Sequence, residues 1–318
     1  MTVTGTTKLA IVGAGSVGSS LAYAALIRGS AREVALFDVN GEKADAEVLD
    51  LAHGTPFIGS SHITGGGDID ALAGADMVVI TAGAKQKPGQ TRLDLAATNA
   101  GILESLMPQL LERAPDAVFL LVTNPCDVLT VVAQQIAQLP PGRVFSSGTA
   151  LDSSRLRWLI AERAGIAASS VHAHIVGEHG DSEFALWSGA RIGPTPIREW
   201  TDSEGEVVFT EPVLEQIHHD VVNAAERVRA GKGATNYAIG LSGARIVEAV
   251  LRDERAIMQV SSVLENYRGV DGVALSVPSI VGASGVERVL DVPMDDGELE
   301  QLHASADALR DAANAISP

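Results

Sequence analysis

The side chains best suited to chemistry lie in two short stretches, Gly177-Glu178-His179-Gly180-Asp181 and, about two dozen residues earlier, Leu151-Asp152-Ser153-Ser154-Arg155. An imidazole titrates near neutral pH, so His179 can give and take a proton on a hydroxyl. Asp152 can hold one ring nitrogen and stabilise the protonated form. Arg155 stands three residues further on and would share a helix face with Asp152. The same pair could be a plain surface ion pair, and a lone histidine is more often a satisfied turn residue. Both alternatives stay open at this level. His218 and His219, in a polar helical stretch, are expected to be of that ordinary kind.

Positioning these groups requires a frame, and the first half of the chain supplies its pattern. Lys8 to Val12, Val34 to Asp38, Met77 to Ala82 and Ala117 to Thr123 are apolar runs without alternation, as strands of a parallel sheet covered on both faces require. Helical stretches separate them; the first, Ser19 to Arg28, stops at Gly29 as a C-cap glycine would stop it. This predicts an α/β, Rossmann-type doubly wound sheet over residues 1–149. Residues 150–318 read as an α+β substrate-binding domain. It would hold a long helix near Asp152, strands around His172 to Val176 and Arg191 to Ile192, a helical region from Glu211 to Leu251, and a meander through Val260 to Leu264 and Val273 to Val277. Leu299, Leu302, Ala306, Leu309, Ala313 and Ile316 mark one face of a final helix, entered through Asp295-Asp296. The two halves are expected to pack closely around a cleft.

Gly13-Ala14-Gly15-Ser16-Val17-Gly18 joins the first strand to the first helix and precedes Asp38 by the interval of a dinucleotide site. Gly13 would make the tight turn, Gly15 would admit a pyrophosphate, and Gly18 would let helix and strand approach, with Val17 beside them. Asp38 would accept hydrogen bonds from both ribose hydroxyls and repel a 2′-phosphate, which favours NAD over NADP. The segment from Gly83 to Arg92 follows a strand end, where open parallel sheets bind ligands. Such a loop can close over a substrate and bring Arg92 to a reacting oxygen, or it can be an ordinary exposed connection.

Composition removes several classes. Forty acidic against 23 basic residues give a net charge of −17 over 318 residues, which argues against nucleic acid as a partner. No apolar run approaches the length of a membrane span, and Met1 to Lys8 lacks the apolar segment of a secretory signal, so a cytoplasmic protein is expected. Cys126 is the single cysteine and is read as a small core residue.

Taken in order, GAGSVG, the strand-end Asp38, DLAHG at 50–54, GAKQKPGQTRLDL at 83–95, VTNPCDVLT at 122–130, LDSSRLR at 151–157, GEHGDS at 177–182 and GATNYAIG at 233–240 resemble the L-lactate/malate dehydrogenase family over nearly the whole chain. The closest likeness is to bacterial L-lactate dehydrogenases. The resemblance implies that His179 is the proton donor and acceptor, that Asp152 orients it, and that Arg155 binds the substrate carboxylate through two parallel hydrogen bonds. It implies further that Arg92 polarises the carbonyl oxygen, that Asn124 bonds the substrate oxygen or the nicotinamide, that Gly83 borders the cofactor, and that Thr235 lines the pocket. No metal is required by this scheme.

Substrate choice rests on Gln86. Relatives that act on malate or oxaloacetate typically carry arginine there, and a neutral Gln86 would leave a second carboxylate buried without a charged partner. Pyruvate and lactate fit better, with malate and oxaloacetate as the alternative and a non-catalytic NAD-binding protein as the plainer one. The family's sugar-hydrolysing cousins use a cysteine and a divalent metal near a strand end; Cys126 followed by Asp127 does not match them. Many bacterial relatives are tetramers activated by fructose 1,6-bisphosphate, and Arg157 and His172 match the residues that bind it. A homotetramer with that effector is therefore expected, though both residues could equally serve packing.

Overall fold

Leu9, Ile11, Val34, Leu36, Met77, Val79, Val118 and Leu120 belong to one buried cluster, and Ala10, Val12, Ala35, Phe37, Val78, Ile80, Phe119 and Leu121 to another. Successive side chains of a strand point to opposite faces, so unbroken apolar runs fill two cores at once. The computed structural model describes residues 6–84 and 92–316, with the backbone alone at residues 92, 93, 315 and 316. The first half runs β1 (Lys8–Val12), α1 (Ser16–Arg28), β2 (Glu33–Phe37), α2 (Gly41–Gly54), β3 (His62–Gly66), β4 (Met77–Ile80), α3 (Arg92–Arg113), β5 (Val118–Leu121), α4 (Cys126–Ala137) and β6 (Val144–Ser146). The second half runs α5 (Ala150–Ala164), β7 (Val171–His172), β8 (Ile175–Val176), β9 (Phe184–Ala185), β10 (Arg191–Ile192), β11 (Thr195–Pro196), α6 (Glu211–Val222), α7 (Ala224–Lys232), α8 (Tyr237–Leu251), β12 (Ala256–Val263), β13 (Ala274–Gly282), β14 (Gly285–Val289) and α9 (Asp296–Ile316).

The main sheet has the order β14-β13-β12-β6-β5-β4-β1-β2-β3. From β3 through β6 the strands are parallel, with Leu9 of β1 registered on Val34 of β2 and Met77 of β4. Strand order reverses on either side of β1, so the ends of β1 and β4 open a crevice at a topological switch point. The expected doubly wound fold is present, with β4 and β5 lying inside the runs expected to be strands and β2 set one residue earlier than the run from Val34 to Asp38.

The meander is also present, and it does more than the sequence suggested. Strand β12 pairs antiparallel with β13 from Ala256↔Val281 to Val263↔Ala274, and Ser261 pairs with Ser146 of β6. The second half therefore extends the sheet of the first. Helix α8 likewise packs on α1. A Cβ on Gly240 would stand 2.8 Å from the Ser20 carbonyl carbon, and one on Gly243 would stand 2.5 Å from Leu21 Cδ1. Only glycine permits so close a crossing. The helical region expected from Glu211 to Leu251 is divided into three helices, the break before α8 falling at Gly233, which ends α7 at φ 81°.

Asp295 and Glu298 cap α9 reciprocally, each side chain accepting from the other's backbone N–H at 2.8 and 3.0 Å. Leu302, Ala306 and Leu309 on its apolar face are buried. Among the described residues, no helix is long and apolar enough to cross a membrane.

Candidate active site

The glycine turn after β1 is shaped by contact. Gly13 has φ 107°, and a Cβ there would lie 2.8 Å from the Ala82 nitrogen; a Cβ on Gly18 would lie 1.8 Å from the Gly13 carbonyl oxygen. At Gly15 a Cβ would meet nothing within 4 Å, so the backbone faces open space at the N-terminus of α1. That is the arrangement a diphosphate needs: tight packing behind, free helix N–H groups and an open approach in front. Half-buried Val17 stands in the first turn. Asp38, one residue past β2, accepts from Ala14 N at 2.7 Å and from Asn40 N at 2.9 Å. Each of its oxygens keeps a second lone pair for a sugar hydroxyl.

Gly83 and Asn124 follow β4 and β5, and a residue that the sequence reading missed joins them. Buried Asn99 on α3 accepts from Ala84 N at 2.8 Å and donates to the Asn124 carbonyl at 2.8 Å. A Cβ on Gly83 would lie 2.3 Å from Thr123 Cγ2, so this turn also requires glycine. Gln86 and the side chain of Arg92 lie outside the described residues.

The second constellation is assembled from four separate elements. Asp152 stands in the first turn of α5, where the helix dipole favours an anion. Thr149 Oγ1 donates to the Ile175 carbonyl at 2.6 Å, and Ser153 Oγ accepts from Ile175 N at 2.9 Å, which fasten α5 to β8. Beyond β8 the chain turns at Gly177, φ 91°, where a Cβ would meet Ser305 Oγ at 2.9 Å. His179 N then donates to Asp127 Oδ2 of α4 at 2.7 Å. This backbone tie fixes where the imidazole starts.

The result is that His179 Nδ1 lies 2.7 Å from Asp152 Oδ2, while Arg155 Nη1 donates to Asp152 Oδ1 at 2.5 Å. Asp152 is buried, with its side chain 2 % exposed, so the pair with Arg155 is not the surface ion pair that its spacing also allowed. Burial disfavours the charged imidazole, but the charge and hydrogen bond of Asp152 outweigh it, and His179 is raised to about 9. Burial likewise opposes the Asp152 carboxylate, yet His179 and Arg155 hold it below the usual carboxylate range. An imidazole bonded through Nδ1 presents Nε2 to a substrate, beside a guanidinium able to take a carboxylate.

Two acids here escaped the sequence reading. Asp127 is buried and pushed up to about 6 by that burial. Glu183 Oε2 lies 3.9 Å from His179 Nδ1, on a side chain 3 % exposed. The only signal in the sequence was position, Asp127 inside the NPCD turn and Glu183 four residues past His179. Asp152, His179 and Glu183 put donor atoms within 4.8 Å of one another. Both oxygens of Asp152 are already taken by the imidazole and the guanidinium, so the cluster is organised around protons. His218 is a satisfied polar histidine, its Nε2 lying 3.0 Å from the Glu183 carbonyl, half-buried against the site.

Thr235 is half-buried between α7 and α8, in a turn that Asn236 fastens to Ser20 of α1 at 2.9 Å. Arg157, further along α5, borders a groove of about 430 Å³ with Leu241, Arg245 and Gln259. Among the described residues no carboxylate comes within ion-pair distance of Arg157, and burial lowers its pKa. His172 is exposed on β7, and half-buried His174 nearby is lowered to about 4, by burial first and then by Arg157. Cys126 is buried at the start of α4, its thiol pushed well up by burial.

Comparison with known proteins agrees with these geometries. Residues 7–146 match the family described as lactate/malate dehydrogenase, NAD binding domain, and residues 149–317 the lactate/malate dehydrogenase, alpha/beta C-terminal domain. An L-lactate dehydrogenase of Bifidobacterium animalis subsp. lactis is 50% identical over 96% of both chains. One from a Synechococcus species is 45% identical over 97% of this chain and 99% of its own. The crystal structure of a minor L-lactate dehydrogenase from Enterococcus mundtii superposes with a TM-score of 0.94 at 38% identity, covering 98% of this chain and 99% of that one. With both halves matched by the family's models and relatives aligned almost end to end, the chain belongs to the lactate/malate dehydrogenase family.

Proposed function

We infer that the protein is an NAD-dependent L-lactate dehydrogenase, interconverting L-lactate and pyruvate. The observation that carries this reading is the His179–Asp152–Arg155 chain, joined through the buried Asp152 carboxylate by links of 2.7 and 2.5 Å. Gly13, Gly15, Val17, Gly18, Asp38 and Gly83 would hold NADH in the crevice, and the cofactor would supply the hydride that C2 of pyruvate receives. The chain's own residues do the rest. Arg155 binds the carboxylate with the parallel donors of its guanidinium. His179, protonated below about pH 9, gives its Nε2 proton to the developing alkoxide, and in the reverse direction takes it back. Asp152 holds the ring by Nδ1 and stabilises its charge. Arg92 polarises the carbonyl, Asn124 bonds the substrate oxygen or the nicotinamide, and Thr235 and Gln86 line the side that meets the methyl group.

The division into a cofactor domain, residues 1–149, and a substrate domain, residues 150–318, follows from these roles. Tyr23 and Ile27 of α1, Leu241 of α8 and Ile257 of β12 are exposed apolar residues, which supports assembly, and a homotetramer is the state proposed. Arg157, which has no carboxylate in reach among the described residues, supports fructose 1,6-bisphosphate as effector together with His172. A cytoplasmic setting suits an enzyme that recycles NADH. The deciding experiment is kcat/KM for pyruvate and for oxaloacetate with NADH at neutral pH. Strong pyruvate preference is expected; oxaloacetate preference would make the protein a malate dehydrogenase and displace Gln86 from its role, and no turnover of either would leave an NAD-binding protein.

A further inference from the structure

Glu183 is not needed by the mechanism above, yet it is among the most buried acids of the molecule and stands against its central histidine. Its carboxyl oxygen is 3.9 Å from His179 Nδ1, the edge of the ring that Asp152 also holds. It therefore lies away from Nε2 and cannot pass a proton to a substrate directly. Its backbone is pinned as well, the carbonyl lying 3.0 Å from His218 Nε2 and the N–H donating to the Gly180 carbonyl at 3.4 Å.

The charges around it decide its state. From α5 come Asp152 and Arg155, already joined at 2.5 Å, so the guanidinium is matched by one carboxylate. From α4 comes buried Asp127; from α6 comes His218; on its own segment Glu178 accepts from Ser182 Oγ at 2.5 Å. Among the described residues, the positive charges facing Glu183 are the Arg155 guanidinium and the His179 imidazolium, and the carboxylates of Asp152 and Asp127 already stand against these two. A second anion in that space is unfavourable, because two carboxylates sharing a dry site cannot both ionise cheaply.

We propose that Glu183 is a positioning residue for His179, an un-ionised carboxylic acid at neutral pH whose ionisation sets how far into the alkaline range His179 stays charged. Burial and the nearby Asp152 push Glu183 up to about 9, into the range where His179 itself titrates. The two groups then release protons as a pair rather than singly. If Glu183 ionises, the new anion favours the imidazolium and keeps the proton donor in place. The inference rests on the reading of His179 as that donor.

The test is the pH profile of kcat/KM for pyruvate, from about pH 6 to about pH 10, for the unaltered enzyme and Glu183→Gln. Glutamine cannot ionise, so the alkaline limb should move to lower pH by roughly half a unit or more. A limb that stays put overturns the proposal, and so does a uniform loss across the profile, which is what a packing role alone would give. Histidine NMR titration of both proteins separates this outcome from a failure of the activity reading. A His179 midpoint lowered by the substitution supports the proposal even where pyruvate is not turned over, and an unchanged midpoint overturns it. Difference infrared spectroscopy of the unaltered protein needs no variant to fold: a protonated carboxyl at neutral pH that disappears as His179 titrates is expected, and its absence at neutral pH overturns the idea.

Discussion

Asp152 uses its two oxygens for two different partners, His179 Nδ1 at 2.7 Å and Arg155 Nη1 at 2.5 Å, and so couples the group proposed to carry the proton to the group proposed to bind the substrate carboxylate. The carboxylate is buried, and neither partner is bonded to another acid as closely. Asp152→Asn should therefore damage both functions at once. His179 is raised above its ordinary value, so its charged form is favoured up to about pH 9, and it supports folding at low and neutral pH, support that fades as pH rises through that value. Without Asp152 the alkaline limit of pyruvate reduction should fall, with kcat lower by about 10²-fold or more. Pre-steady-state and steady-state pH profiles check this; an unmoved limb would show that Asp152 does not charge His179.

Stability gives an independent reading of Glu183. An acid held un-ionised in the folded state binds a proton that the unfolded chain would release, so stability falls as pH rises from the ordinary glutamate value of 4.5 towards about 9. Glu183→Gln removes that dependence. Its Tm should exceed that of the unaltered protein by roughly 2 °C or more at pH about 8, with the gap closing towards acid pH.

Gln86 is proposed to meet the substrate's methyl end. Gln86→Arg should raise the ratio of kcat/KM for oxaloacetate to that for pyruvate by about 10²-fold or more, because a buried second carboxylate gains a charged partner. Specificity constants for both substrates check it. An unchanged ratio would remove Gln86 from the pocket.

Arg157 is half-buried with no carboxylate in reach among the described residues, which leaves a positive charge available to an anion. Fructose 1,6-bisphosphate should shift the pyruvate saturation curve to lower concentration, and Arg157→Gln should abolish the shift. Saturation curves at mildly acidic and neutral pH decide it, and curves that ignore the bisphosphate at both would reduce Arg157 to packing.

Glu248 of α8 accepts from Arg28 Nε at 2.7 Å, Arg28 Nη2 at 2.6 Å and Ser30 Oγ at 2.9 Å, with its side chain 4 % exposed. This joins the end of α1 to α8 across the two halves. Burial opposes its charge, but these bonds hold its pKa below 4.5, so the stabilisation exists above that value and is lost as pH falls through the lowered one. Glu248→Gln should cost about 1–3 kcal/mol at neutral pH, and much less in acid, by denaturant unfolding.

Local pattern was enough to read much of this molecule. Short unbroken apolar runs bounded by turn residues read as strands covered on both faces, so the doubly wound sheet was legible from β1, β2, β4 and β5. The glycine turn and Asp38 were legible because dinucleotide binding demands fixed residue types at fixed intervals along one strand–turn–helix unit. Strands β3 and β6 were not foreseen. His62–Gly66 carries two glycines and Val144–Ser146 spans three residues, too little pattern to stand out.

His179, Asp152 and Arg155 could be named from the chain, but their joint purpose could not be read from composition or spacing. Asp152 and Arg155 at that interval look the same on any exposed helix. What distinguishes them is burial at the junction of α5, β8 and α4, where water no longer screens charge and every ion must find a partner. Asn99, Asp127 and Glu183 were invisible for the same reason, since each acts on a residue distant in sequence or takes its character from its surroundings. Sequence by itself determined which groups were available and which local turns and strands would carry them. Tertiary structure alone decided which groups meet and which are dry, and therefore which hold a charge, because proton affinity and ion pairing depend on distances and dielectric surroundings that exist only once the chain is folded.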